Sequence, residues 1–128
     1  MTDNAQTPPR YDCIQLHQES GVIVVNFVDE RIADPSRIEQ LGQELISLSE
    51  NQDPKVVIDF SRVRFVSSLA INKLLVLEKR IRQRGGQLRL AELEPEVQEV
   101  FGIARLNEVF TIHEARQDAV QGLTNPNP

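Results

Sequence analysis

Five consecutive residues, Val56-Val57-Ile58-Asp59-Phe60, are apolar but for a single acid near their end. A strand of that composition offers no face to water, so it belongs inside a sheet that is covered on both sides. The chain then passes through Arg64-Phe65-Val66 to the pair Ser67-Ser68, and from Leu69 to Ile81 its apolar residues recur at helical spacing. A helix therefore starts at about Ser68. The two hydroxyls sit at its positive dipole end, where a phosphate is readily accommodated. Serines in this position also read as ordinary helix caps.

On either side of this segment strands and helices alternate. Tyr11 to Gln18 sets Cys13, Gln15 and His17 against Ile14 and Leu16, the period of a half-exposed strand. Glu19-Ser20-Gly21 is a turn signal, and Val22 to Val28 is a second, largely apolar strand, so the two form a hairpin. Asp34-Pro35 is a helix start, with Asp as N-cap and Pro in the first turn. Ile38, Leu41, Leu45 and Leu48 lie on one face of that helix, and Asn51-Gln52-Asp53-Pro54 ends it. In the helix after Ser68, Ala70, Leu74, Leu77 and Ile81 form the buried stripe, widened by Ile71 and Leu75, and Gly85-Gly86 stops it. Leu88 and Leu90 mark a further strand. Pro95 opens a third helix whose buried face is read as Val97, Val100, Phe101 and Ala104. Val109 to Ile112 is a last short strand, and Ala115, Ala119 and Leu123 mark a final helix.

The order β-β-α-β-α-β-α-β-α predicts an α/β fold: a central, mostly parallel sheet, an N-terminal antiparallel edge hairpin and about four helices. A single domain over residues 10–123 is expected, with residues 1–9 and 124–128 as flexible ends.

With 128 residues, 40% hydrophobic and 26% charged, the chain has the make-up of one ordinary globular domain. Its net charge of -5 and its 5% aromatic content argue against a nucleic-acid surface, which needs clustered Lys and Arg. The cationic run Lys79 to Arg84 is read as a helix C-terminus complementing the dipole. Cys13 stands alone, which excludes an intrachain disulfide and a cysteine metal site. No apolar run approaches the length of a membrane span, and the start at Met1-Thr2-Asp3-Asn4 carries no basic, apolar leader, so a cytoplasmic protein without membrane insertion is expected.

Catalytic constellations are sparse. His17 and His113 are the only histidines, and neither is spaced from other ligands as a metal site requires. His17 is expected on an exposed strand face and His113 as a cap of the final helix. Ser67 and Ser68 lack the flanking glycines of a nucleophile elbow. Gly85-Gly86 follows a helix and precedes a strand, the reverse of a nucleotide loop. Asp59 points toward the following loop or caps the turn at Ser61-Arg62. Asp29, Glu30 and Asp34 form an acidic loop that binds a cation or is simply solvated. The reading is of a protein-binding domain rather than an enzyme, with no cofactor and no metal implied.

In order and spacing, these segments resemble the STAS domain, the fold of bacterial anti-sigma factor antagonists and of the cytoplasmic domain of sulfate transporters. The resemblance runs through Val56 to Ser61, Val63 to Val66, the serine pair, Leu74-Leu75, Arg84 to Leu90, Pro95 to Phe101 and Leu106 to Phe110. It covers roughly residues 11 to 123. What it implies is partner switching: the antagonist binds an anti-sigma factor that is also a serine kinase of the histidine-kinase-like ATPase type, and phosphorylation of the antagonist releases it. A serine phosphatase resets the switch. Ser68 matches the phosphoacceptor, with Ser67 as second choice. Ser67 stands where the family has Asp, Leu69 replaces a second hydroxyl residue and Ala70 replaces Gly.

The expected contact surface is the start of this helix and the loop before it: Ser61, Arg62, Arg64, Ser67, Leu69 and Asn72 around Ser68. Leu69 is either an exposed anchor or packed inward. The alternative function is an unphosphorylated STAS scaffold or adaptor in a signalling or lipid-transport complex. A small-ligand domain or enzyme ranks third, and self-association as a homodimer stays open.

Overall fold

The computed structural model describes residues 11–124. Its strands are β1 (Ile14–Glu19), β2 (Val22–Phe27), β3 (Arg31–Ile32), β4 (Lys55–Asp59), β5 (Phe65–Val66), β6 (Gln87–Ala91) and β7 (Thr111–His113). The helices are α1 (Pro35–Ser47), α2 (Ser68–Gln83), α3 (Pro95–Ile103) and α4 (Arg116–Thr124), with a 3-10 turn at Leu106–Glu108.

Five strands form one sheet in the order β1-β2-β4-β6-β7. β1 runs antiparallel to β2, and the pairs β2–β4, β4–β6 and β6–β7 are parallel. The predicted hairpin thus forms the antiparallel edge, and β4 lies in the centre. Alternation along β4 explains its unbroken apolar composition. Val56 and Ile58 enter the larger core with α1, α2 and α3, while Val57 joins Val22, Val24 and Ala91 under Ala119, Val120 and Leu123 of α4. In the larger core Phe60 links Phe27 (ring centroids 5.2 Å apart) to Phe101 (6.1 Å).

Local chemistry sets the helix limits. Asp34 accepts the Arg37 N–H at 3.0 Å, and Pro35 takes the first turn of α1. α2 ends as Gly85 adopts a φ of +79°, a conformation costly for any residue with a Cβ. At Gly86 a Cβ would lie 2.1 Å from the Pro54 carbonyl oxygen, so the paired glycines are also a packing requirement.

Several expectations are corrected. Two short strands, β3 and β5, pair in parallel as a separate ribbon, which adds to the expected order. Cys13 is buried ahead of β1, whereas Leu16 is exposed, because β1 lies at the sheet edge with little above it. On α3 only Val97 and Phe101 are buried; Val100 and Ala104 face outward. The last strand is Thr111–His113 rather than Val109 to Ile112, and α4 begins after Ala115. His113 is consequently a strand residue, not a helix cap, and its Nε2 lies 3.0 Å from Arg89 Nη1. Among the described residues no helix is long and apolar enough to cross a membrane. The ends expected to be flexible fall outside the described residues, except Thr124, which closes α4.

Candidate functional site

The loop from β4 to α2 is held from three sides. Asp59, buried at the end of β4, accepts the Ser61 N–H at 2.8 Å, the turn-capping one of the two arrangements the sequence left open. Its other oxygen pairs with Arg116 Nη1 at 3.1 Å, a long-range tie to the start of α4. Farther along, the N–H groups of Arg64 and Phe65 donate to the Glu30 carbonyl and that of Ser67 to the Ile32 carbonyl. The β3–β5 ribbon therefore fixes the two residues immediately ahead of the serine pair.

Ser67 is the N-cap of α2: its backbone is extended (φ -80°, ψ 165°) and its hydroxyl accepts the Ala70 N–H at 3.4 Å. Ser68 is the first helical residue and is exposed. Its hydroxyl has no hydrogen-bond partner among the described residues, so the two serines divide the roles of cap and free hydroxyl. Beside it lies an open hollow of about 320 Å³ lined by Ser68, Leu69, Ile71, Asn72 and Leu75. Leu69 is exposed rather than packed inward, and Asn72 lies one turn on.

The other expected contact residues are spread more widely. Arg62 is exposed on the turn. Arg64 lines a separate groove with Phe65 and α3, and lies 3.8 Å from Glu30. Ser61 opens onto a third, polar groove of about 490 Å³ shared with Asp59, Glu92 and Arg116. Sequence reading did not anticipate Leu75 as part of the serine hollow, nor Phe65 as exposed. A two-residue strand is too short for alternation to reveal which way Phe65 faces.

The acidic loop is engaged within the chain. Asp29 takes a two-oxygen contact from Arg37 (2.9 and 3.2 Å), which raises the Arg37 pKa. Bonds from the Ser36 hydroxyl and the Arg37 N–H hold the Asp34 carboxyl below its usual value. Among the described residues no cluster of three His, Cys, Asp or Glu has metal-binding geometry. Burial, reinforced by the nearby Glu44 carboxylate, pushes the Cys13 thiol upward, away from the reactive thiolate form.

Fold and site together define an α/β domain that presents a hydroxyl outward on a helix start. Residues 14–119 match the STAS domain family, and the chain belongs to it. It is 31% identical over 97 residues to BtrV of Bordetella bronchiseptica, provisionally described as an anti-sigma factor antagonist, the match covering 76% of this chain and 84% of that protein. The solved anti-sigma factor antagonist (STAS) domain protein from Planctomyces limnophilus superimposes with a TM-score of 0.80 at 27% identity, covering 88% of this chain and 98% of that one. The Bacillus cell fate determinant SpoIIAA in its phosphorylated form shares the fold at a TM-score of 0.61 and 18% identity, covering 84% and 96%.

Proposed function

We propose that this chain is a cytoplasmic regulator of transcription that binds an anti-sigma factor with serine kinase activity of the histidine-kinase-like ATPase type, and that phosphorylation of Ser68 ends the binding. The observation that carries this reading is the exposed Ser68 hydroxyl, without a partner among the described residues, in the first turn of a helix beside an apolar hollow. In the reaction the Ser68 oxygen forms a bond to the γ-phosphorus of ATP, the bond to the β,γ-bridging oxygen breaks, ADP leaves and the serine proton passes to a base. The product adds about -1.5 to -2 charges at this point. In the free domain, the α2 N-terminus offsets that charge by about 0.3–1 kcal/mol, so the fold tolerates it. Under a bound partner the same dianion is desolvated without a counter-ion and costs several kcal/mol, which expels the partner. A serine phosphatase would restore the hydroxyl. SpoIIAA, a structural relative, has been solved in a phosphorylated form, in keeping with this reading.

Intact mass after incubation with ATP and a candidate kinase from the same genome tests the proposal. One added phosphate is expected on the wild type and none on Ser68→Ala; wild type that stays unmodified with every such kinase overturns it. A second reading, an unphosphorylated scaffold or adaptor in a signalling or lipid-transport complex, draws on Ser67, Leu69 and Ala70 standing where the family motif has other residues. That reading expects Ser68→Asp to leave partner binding unchanged.

A further inference from the structure

A groove of about 300 Å³ runs between the β3–β5 ribbon and α3. Val66 and Val97 are its buried floor, while Phe65 and Val100 remain 40% and 43% exposed. The apolar surface continues along α3 to Ile103, one turn beyond Val100 and 78% exposed, the most exposed large apolar side chain among the described residues. Isolated exposed apolar residues are ordinary, but a continuous run bordered by charge marks an interaction surface.

The borders differ in sign. On the ribbon side stand Arg31, whose guanidinium carbon lies 4.6 Å from the Phe65 ring centroid, and Arg64, held only loosely by Glu30 at 3.8 Å. On the α3 side stands Glu96, which, like Arg31, has no ion-pair partner among the described residues. An acidic partner would meet repulsion at Glu96 and a basic one at the arginines. A face carrying the same charges in reverse order satisfies both walls. A second copy of this chain presents that face when a two-fold axis runs along the groove: each ribbon wall meets the other copy's α3 wall, so that Phe65 faces the other copy's Val100 and the arginines face its Glu96.

We infer that this groove and the outer stripe of α3 form a two-fold homodimer interface. The apolar contact rests on Phe65, Val100 and Ile103, few residues against the roughly 20–30 a side of a standard interface, so a weak dimer is expected. Arg64 is also among the partner-contact residues expected from the sequence, so, if the kinase uses it, dimerisation and partner binding compete. That competition rests on the proposed function, whereas dimerisation itself does not.

Sedimentation velocity from micromolar to near-millimolar concentration tests the inference. Wild type is expected to shift from monomer to dimer. Ile103→Asp should stay monomeric across the range with an unchanged melting temperature, since its side chain is largely in solvent. Arg64→Glu and Glu96→Arg should each weaken association roughly tenfold, and the double variant should recover most of the loss. Wild type monomeric throughout overturns the inference. So does a dimer indifferent to Ile103→Asp, which would place the contact elsewhere, at the β1 edge for example. A double variant no stronger than either single one rules out the two-fold pairing of the walls. If the wild type is monomeric while Ile103→Asp weakens kinase binding, the groove belongs to the kinase and the dimer is excluded.

Discussion

Glu44 is a carboxylate buried within α1, and it organises the entry of the chain into the fold. One oxygen accepts the Cys13 N–H at 2.9 Å; the other accepts the Asp12 N–H at 3.0 Å and the Gln40 side-chain amide at 3.0 Å. These bonds anchor the segment leading into β1 against the helix, and they satisfy backbone donors that no strand partner reaches. Removing the carboxylate leaves the buried Cys13 N–H without its acceptor, while the Asp12 N–H, on an exposed residue, can turn to water. Glu44→Ala is therefore expected to cost about 2–3 kcal/mol, and Glu44→Gln, which keeps one acceptor oxygen, distinctly less. Urea titration checks this, and equal losses for the two substitutions would show that the side chain acts through packing volume instead. Nothing local in the sequence marks this role, because a Glu on an amphipathic helix reads as solvated until the segment 31 residues earlier folds onto it.

Among the elements, β7 and its histidine couple the sheet to pH. Arginine has donors only, so the 3.0 Å bond from Arg89 needs a lone pair on His113 Nε2 and hence a neutral ring. Burial, then the Arg89 charge, lowers the His113 pKa below its ordinary 6.5, against a smaller upward pull from Asp118 on α4. The unfolded chain then holds more protons than the folded one between the two pKa values. The stability contributed by neutral His113 is complete above about pH 6.5 and is lost as pH falls through the folded value. Asp34, also lowered, contributes above its unfolded value of 3.8 and loses that part only at lower pH. Melting temperature is expected to decline as pH is lowered from about 7.5 to about 5, and to decline less steeply in His113→Gln; identical slopes would remove His113 as the cause. The misplacement of this residue has a physical origin. Leu106, Asn107 and Glu108 form a 3-10 turn entered through Arg105 at a φ of +59°, and that turn delays the strand by two residues relative to the apolar pattern. The long elements were legible because each of them buries a stripe of matching period, as α1 and α2 do. Val100 and Ala104 of α3 follow the same period but lie beyond the edge of what the sheet covers, so periodicity alone overstated that helix's buried face.

For the molecule as a whole, the two sides of the sheet are unequal. Three helices and the phenylalanine chain pack against one face, while α4 covers the other with Ala119, Val120 and Leu123 over Val22, Val24, Val57 and Ala91. Because those side chains are small, α4 depends more on its polar attachments. Glu92 accepts the Arg116 N–H at 2.8 Å, and the Arg116 side chain reaches both Asp59 (3.1 Å) and Glu19 (3.4 Å). The helix start at Ser67 and Ser68 was readable from adjacent residues alone. The Asp59–Arg116 tie was not, because its partners are 57 residues apart: the acid at the end of an apolar strand marks Asp59, but nothing local pairs it with Arg116. The tie has a mechanical consequence: the oxygen pair of Asp59 joins the turn at Ser61 to the start of α4, so the loop leading to Ser68 and the weaker side of the sheet share one anchor. Local opening should therefore begin at α4, where apolar burial is least, while β4 opens only with global unfolding. Arg116→Ala removes both ion pairs but keeps the backbone bond to Glu92. Amides of residues 116–124 are then expected to exchange roughly tenfold faster, the amides of β4 being unchanged. Hydrogen exchange read by mass spectrometry separates the cases: equal acceleration in α4 and β4 would mean that α4 detaches only when the whole domain unfolds, and that the two faces of the sheet act as one cooperative unit.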